Sequence, residues 1–191
     1  MGLQKQAKIL TSSQQKAVIA FLSQKKTAKR DIVMFLLSCD AGLRSKEIAT
    51  VDWKHLTDSE GNLTNEIRIT NEATKGKSGG VVYLSNRLKD ALASYTEELH
   101  QLKGTVVKSA RGNQMTAQVV TNWFWCLYRE LGFEGCSSHS GRRTAITRWG
   151  RNISQHGGSI KDVMMLARHS SLAMTSRYIE QNVDAMKSVV G

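Results

Sequence analysis

Residues 138–178 read SHSGRRTAITRWGRNISQHGGSIKDVMMLARHSSLAMTSRY, and the rest of the chain is organised around them. His139 and Arg142 stand three positions apart, so on a helix they share a face. Arg143 follows at once, and nine positions separate His169 from Tyr178. A pair of guanidiniums, two imidazoles and a phenol together suggest chemistry on a phosphate.

Outward from that stretch the chain alternates helix signals with one β-hairpin. Thr11, Ser12 and Ser13 cap a helix running to about Gln24, after a loose basic leader over residues 1–10. Lys25, Lys26, Lys29 and Arg30 form a basic cluster, either a solvated helix junction or a phosphate contact. Asp31 to Asp40 is apolar nearly all round, so it reads as a buried helix stopped by Gly42. Arg44 comes next, with Ser45 placed to cap the short helix after it. Glu66 to Thr70 and Val81 to Ser85 alternate as strands do, around a glycine-rich tip that holds Lys75 and Lys77. Asn86 to Lys103 reads as a helix, and Thr105 to Gln114 as a polar connector. A helix capped by Thr116 reaches Leu131. The helix beginning near His139 carries Arg142, Arg143, Arg148 and Arg151, and a further helix runs from Ile160 to about Arg168. Ser170 or Ser171 then caps the helix that bears Tyr178, and residues 179–191 form a short amphipathic tail. With no repeat or clear linker, the fold class is mostly α with a small antiparallel hairpin (α+β), as one domain over residues 11–178.

Composition narrows the function. The 191 residues are 40% hydrophobic, enough for a sizeable core, and carry a net charge of +11. Such excess base points to a polyanion, nucleic acid first and an acidic membrane surface second, and the resemblance given below makes double-stranded DNA the expected partner. Cys39, Cys126 and Cys136 are odd in number and lack metal-ligand spacing, so neither a zinc site nor any other cofactor is expected. No apolar run approaches the roughly 20 residues that span a bilayer. The start lacks the apolar core of a signal peptide, so the expected location is cytoplasmic.

In chain order, the chemistry-bearing residues are Arg44, Lys75, His139, Arg142, His169 and Tyr178. Their surroundings, AGLRSKEIATVDW, TKGKSGGVVYL, HSGRRTAITRW and LARHSSLAMTSRYI, resemble the boxes of the tyrosine recombinases, the phage-integrase family. The resemblance spans nearly the whole chain and implies the catalytic-domain fold of that family. It implies metal-independent DNA cleavage and rejoining through a 3′-phosphotyrosyl intermediate, with Tyr178 as nucleophile and Arg44 and Arg142 as phosphate clamps. By the same likeness, His139 helps with the tyrosine proton, Lys75 protonates the departing 5′ oxygen and His169 donates to the phosphate. Lys77 is the alternative hairpin lysine, and Glu47 pairs with the first arginine. Lys77, Arg143, Arg148 and Arg168 are expected DNA contacts. A homo-oligomer on DNA, a tetramer in the family, is the expected assembly, with the tail exchanged between protomers.

The chemistry stands without the likeness. A phenol ester of phosphate conserves the bond energy needed to rejoin a strand. Guanidiniums present fixed forks to non-bridging oxygens as charge builds on them. Tyrosine ordinarily ionises near pH 10, so adjacent cations or a base must help it.

Three departures from the family pattern carry expectations. Arg168 stands where a glycine usually precedes the second histidine, which implies strain or another kind of turn. Gly141 stands where an apolar residue usually precedes the arginine, which implies looser packing beneath the site. Only about ten residues precede the first helix, where most relatives carry a second DNA-clamping domain. A natural short form, as in the fimbrial invertases, and an excised piece both fit, and both imply weak, salt-sensitive DNA binding. The alternatives in function are a catalytically weakened DNA-binding accessory protein on the same fold, or a topoisomerase-like relaxing enzyme.

Overall fold

The computed structural model describes residues 6–69 and 79–178. They divide into two compact units, residues 1–145 and 146–191, with the boundary inside one helix.

The first unit is built on α2 (Ala28–Cys39), in which every residue from Val33 to Cys39 is buried. Each fully buried Leu or Phe of such a helix contributes about 1.5 to 3 kcal/mol. Helix α1 (Ser12–Leu22) lies against α2, its start fixed by a reciprocal box between Thr11 and Gln14. The described part of the leader, residues 6–10, is tied rather than loose. Lys8 N–H donates to the Gly135 carbonyl, and Leu10, itself in the core, donates its N–H to Thr144 Oγ1. Helix α2 stops where Gly42 turns left-handed at φ 64°, a conformation glycine adopts without strain.

Helix α3 (Ser45–Thr50) follows, then a 3-10 turn over Trp53–His55. Strands β1 (Glu66–Ile69) and β2 (Gly80–Tyr83) pair antiparallel, Ile67 opposite Val82, and those two side chains face the core. Helix α4 (Asn86–Thr96) packs on α2. The Asp40 carboxylate at the end of α2 accepts from Arg87 Nε and Nη2 and from Ser85 Oγ, joining that end to the start of α4. Helix α5 (Ala117–Glu130), capped by Thr116 Oγ1, buries Val120, Phe124, Leu127 and Tyr128, while Trp125 faces outward.

Two expected spans change. The helix expected to reach Lys103 ends at Thr96, where N–H groups of Glu98 and Leu99 bond three residues back, to Tyr95 and Thr96. Leu99 and Leu102 still pack on the core, so the apolar spacing outlasts the helix that it was read to signal. The expected polar connector carries Val106 and Val107, both buried, and Val106 N–H donates to the Val51 carbonyl. The basic cluster is largely neutralised in place. Lys25 pairs with Glu130 at 3.4 Å, Lys29 with Glu97 at 3.1 Å and Arg30 with Asp31 at 2.6 Å.

Helix α6 (Ser140–Asn152) contributes its later turns to the second unit. There Ile146 meets Val163 and Ala167 of α7 (Ile160–Ala167) in a small core, flanked by Trp149, Ile153 and Tyr178. The Asp162 carboxylate accepts from Ser159 N–H at 2.7 Å and so fastens the start of α7. Helix α8 (Leu172–Ser176) starts at Ser171, whose Oγ accepts from Met174 N–H.

Candidate active site

The first unit presents one guanidinium on a turn and a second bonded to that turn. Arg44, rather than Ser45, holds the cap position of α3. The Glu47 carboxylate, 1% exposed, accepts from Arg44 N–H at 2.8 Å and from Arg44 Nη1 at 2.9 Å. One buried carboxylate therefore fixes both the backbone and the head of Arg44, whose side chain keeps 34% exposure. This is the expected ion pair behind the first arginine. Arg142 is buried in the first turn of α6, and its Nη1 donates to the carbonyl of Gly42. Gly42 lies two residues before Arg44. The second guanidinium is thus bonded to the turn that carries the first.

His139 stands just before α6 begins and is exposed, whereas Arg142 is 4% exposed. His139 caps that first turn, its carbonyl accepting from Arg143 N–H at 2.9 Å, so the two residues differ in burial while belonging to one helix start. Gly141 overturns its expectation. A Cβ there would meet Ser38 Oγ at 2.4 Å and Ser38 Cβ at 2.8 Å, so α6 and α2 touch closely at this point instead of packing loosely.

The second unit presents an imidazole and a phenol. The His169 and Tyr178 rings stack with centroids 5.3 Å apart and planes inclined at 27°. His169 is buried, and its Nδ1 shares a hydrogen bond of 3.0 Å with Thr175 Oγ1. Tyr178 is half-buried. Thr147 Oγ1 donates to its carbonyl, and its own N–H donates to the Thr175 carbonyl.

Arg168 makes the turn between α7 and His169 with φ 53° and ψ 46°. Among the described residues it alone, glycines apart, has positive φ. Its N–H and that of His169 donate to the carbonyls of Met165 and Met164, each at 3.0 Å. The glycine-type helix stop is therefore present without the glycine, at a cost of about 1 to 2 kcal/mol.

The remaining expected site residues that are described differ in exposure. Arg143 donates to Gln6 Oε1 and is half-buried, Arg148 is half-buried and Arg151 is exposed. Arg168 is 7% exposed. Lys75, Lys77 and the tail over residues 179–191 lie outside the described residues. Sequence reasoning missed the Gly42 carbonyl, Thr147 and Thr175. Only the position of Thr175, three residues before Tyr178, offered a signal, and hydroxyls at that spacing are commonplace. Among the described residues, no three His, Cys, Asp or Glu side chains cluster as metal ligands, and no helix is long and apolar enough to cross a membrane.

The phage integrase family model matches residues 8–184. No curated protein sequence matches the chain. The fold is that of the tyrosine recombinase catalytic domains, mostly helical with a two-stranded antiparallel sheet. It is similar to XerA recombinase at TM-score 0.73 and 16% identity, over 99% of this chain and 64% of that one. It is similar to the Tn1549 transposon integrase, solved with circular intermediate DNA, at TM-score 0.72 and 16% identity, over 96% of this chain and 65% of that one. A lambda integrase dimer bound to a COC′ core site gives TM-score 0.70 and 16% identity, over 96% of this chain and 62% of that one. This chain thus spans a little under two thirds of each of these three chains.

Proposed function

The chain belongs to the phage integrase family, and on that premise we propose that it recombines DNA at specific sites through a 3′-phosphotyrosyl link on Tyr178. The observation that carries this reading is the bond from Arg142 to the Gly42 carbonyl, which brings a second guanidinium to the turn of Arg44. The two forks grip the non-bridging oxygens of one phosphodiester and gain most as charge builds there in the transition state. The Tyr178 phenolate oxygen attacks phosphorus, forming the P–O bond to tyrosine and expelling the 5′ oxygen. Lys75 gives that oxygen its proton, with Lys77 the alternative donor. His139 takes the phenol proton. When Thr175 donates to Nδ1 of His169, the imidazole keeps its proton on Nε2 and offers it to the phosphate. Religation reverses each transfer on the partner strand.

The same reading assigns residues 11–178 to catalysis and residues 179–191 to contact with a neighbouring protomer on DNA. Arg143 and Arg148 are its backbone contacts. Arg168, buried, serves to aim His169 instead. Phosphate contacts of this kind give affinity that falls with salt.

Nicked duplex fragments tiling the DNA on either side of the coding sequence test the proposal. Cleavage releases a short strand from such a fragment and traps the covalent adduct. The expected result is a denaturant-resistant protein–DNA band that Tyr178→Phe abolishes, together with recombinant joints from intact fragments. Binding with no adduct from any fragment supports the accessory role, and relaxation of supercoils without joints supports the topoisomerase role.

A further inference from the structure

We infer that Gly141 is a positioning residue for Arg142, acting through its contact with Ser38; the inference rests on the function proposed above. Ser38 lies in the last turn of α2, fully buried, and Gly141 in the first turn of α6, also buried. A Cβ at Gly141 would stand 2.4 Å from Ser38 Oγ, 2.8 Å from Ser38 Cβ and 3.2 Å from the backbone nitrogen of Cys39. Turning the serine hydroxyl away leaves the last two contacts in place, because Cβ and backbone are fixed by α2 itself. The two helices therefore approach at a point where only a hydrogen fits.

That point lies between the two ends of the arginine clamp. Gly141 directly precedes Arg142 in sequence, and Ser38 lies four residues before Gly42, whose carbonyl Arg142 holds. Separation of α2 and α6 at this contact sets how far the Arg142 guanidinium reaches past the turn that bears Arg44. With the hydroxyl turned away, moving the Cβ from 2.8 Å back to an ordinary 3.4 Å contact with Ser38 Cβ displaces the first turn of α6 by about 0.6 Å. A misplacement of about 1 Å in a reacting assembly can cost on the order of 100-fold in rate, so a shift of this size costs on the order of tenfold. Among the described residues Ser38 Oγ has no hydrogen-bond partner, so no bond within them holds the hydroxyl against Gly141.

The test measures covalent trapping on the captured fragment at saturating DNA. Gly141→Ala is expected to cleave at least about tenfold more slowly, with DNA affinity within a few-fold of the parent and an intact fold by circular dichroism. Ser38→Gly/Gly141→Ala, which removes both serine atoms from the contact, is expected to recover at least about threefold of that loss. A fragment with a neutral methylphosphonate at the cleaved position supplies the readout that a merely structural role would not move. With no anionic charge to clamp, the deficits of Gly141→Ala and of Arg142→Ala should both shrink on it. Folded Gly141→Ala at parental rate, or a deficit identical on phosphate and methylphosphonate, overturns the inference. Should Gly141→Ala fail to fold, the double variant takes its place, because the residual 3.2 Å contact with Cys39 remains. It should then cleave several-fold more slowly than Ser38→Gly on phosphate but not on methylphosphonate, and equal rates on both overturn the inference. If the parent chain itself forms no adduct on any fragment, it is the functional reading that has failed.

Discussion

The two units hold their chemical groups in different ways. In the first, Arg44 is fixed by a buried carboxylate and Arg142 by a backbone carbonyl, beside a helix buried from Val33 to Cys39. In the second, His169 and Tyr178 rest on a core of Ile146, Val163 and Ala167, while Met165 on α7 is 65% exposed and Leu172 on α8 is 44% exposed. The proposed clamp is thus embedded in a large core, and the proposed nucleophile sits on a thin one. Groups that stabilise developing charge work best when they need no reorganisation. An element that delivers a nucleophile belongs among the less stable parts of a fold.

The largest expected effect separates the units completely. Tyr178→Phe should remove all covalent adduct while leaving DNA affinity and thermal stability close to those of the parent, as read by trapping, gel shift and melting. Arg142→Ala should leave the tyrosine in place and slow trapping by about 100- to 1,000-fold, which is about 2.7 to 4 kcal/mol of barrier. If Arg142→Ala cleaves normally, the clamp is not where the first unit places it.

Glu47→Gln probes the rigidity of that clamp. It keeps a hydrogen-bond acceptor but removes the charge beneath Arg44, so denaturant unfolding should show a loss of about 1 to 3 kcal/mol. Hydrogen exchange compares the units directly. Amides of α7 should exchange at least roughly tenfold faster than those of α2, a gap of about 1.4 kcal/mol. Equal protection in both helices would erase the contrast.

The smallest effect is an acid one. The backbone N–H of Ser159 holds the Asp162 carboxyl below its ordinary value of 3.8. A carboxylate lowered in the folded state contributes stability above its unfolded value and loses it as pH falls through the folded one. Protection of the α7 amides, taken relative to the intrinsic exchange rate at each pH, should therefore fall below pH 3.8, and Asp162→Ala should show no such acid step.

Local chemistry carried much of this into the sequence. The all-apolar run in α2, the Gly42 stop, the Thr116 cap and the alternation of β1 each depend on a few neighbouring residues. The features it hid are long-range. Nothing near Arg142 foretells its bond to a carbonyl 100 positions earlier, and nothing near Gly141 foretells Ser38. Lys25 and Lys29 read as free charge because Glu130 and Glu97 lie far off in sequence. Leu99 and Leu102 kept a helical spacing because packing on the core needs only apolar faces, not a helix. Arg168 shows the converse. The missing glycine implied strain or another turn, and the strained form is the one adopted, with the hydrogen bonds from its N–H and that of His169 holding the left-handed stop.

Mass spectrometry of the nuclease-trimmed adduct tests the central claim most directly. The account predicts a nucleotide remnant on the peptide that contains Tyr178, formed by the parent chain and reduced at least about 100-fold in Arg44→Ala and in Arg142→Ala. A remnant on any other residue, or one whose yield ignores both arginines, would contradict it.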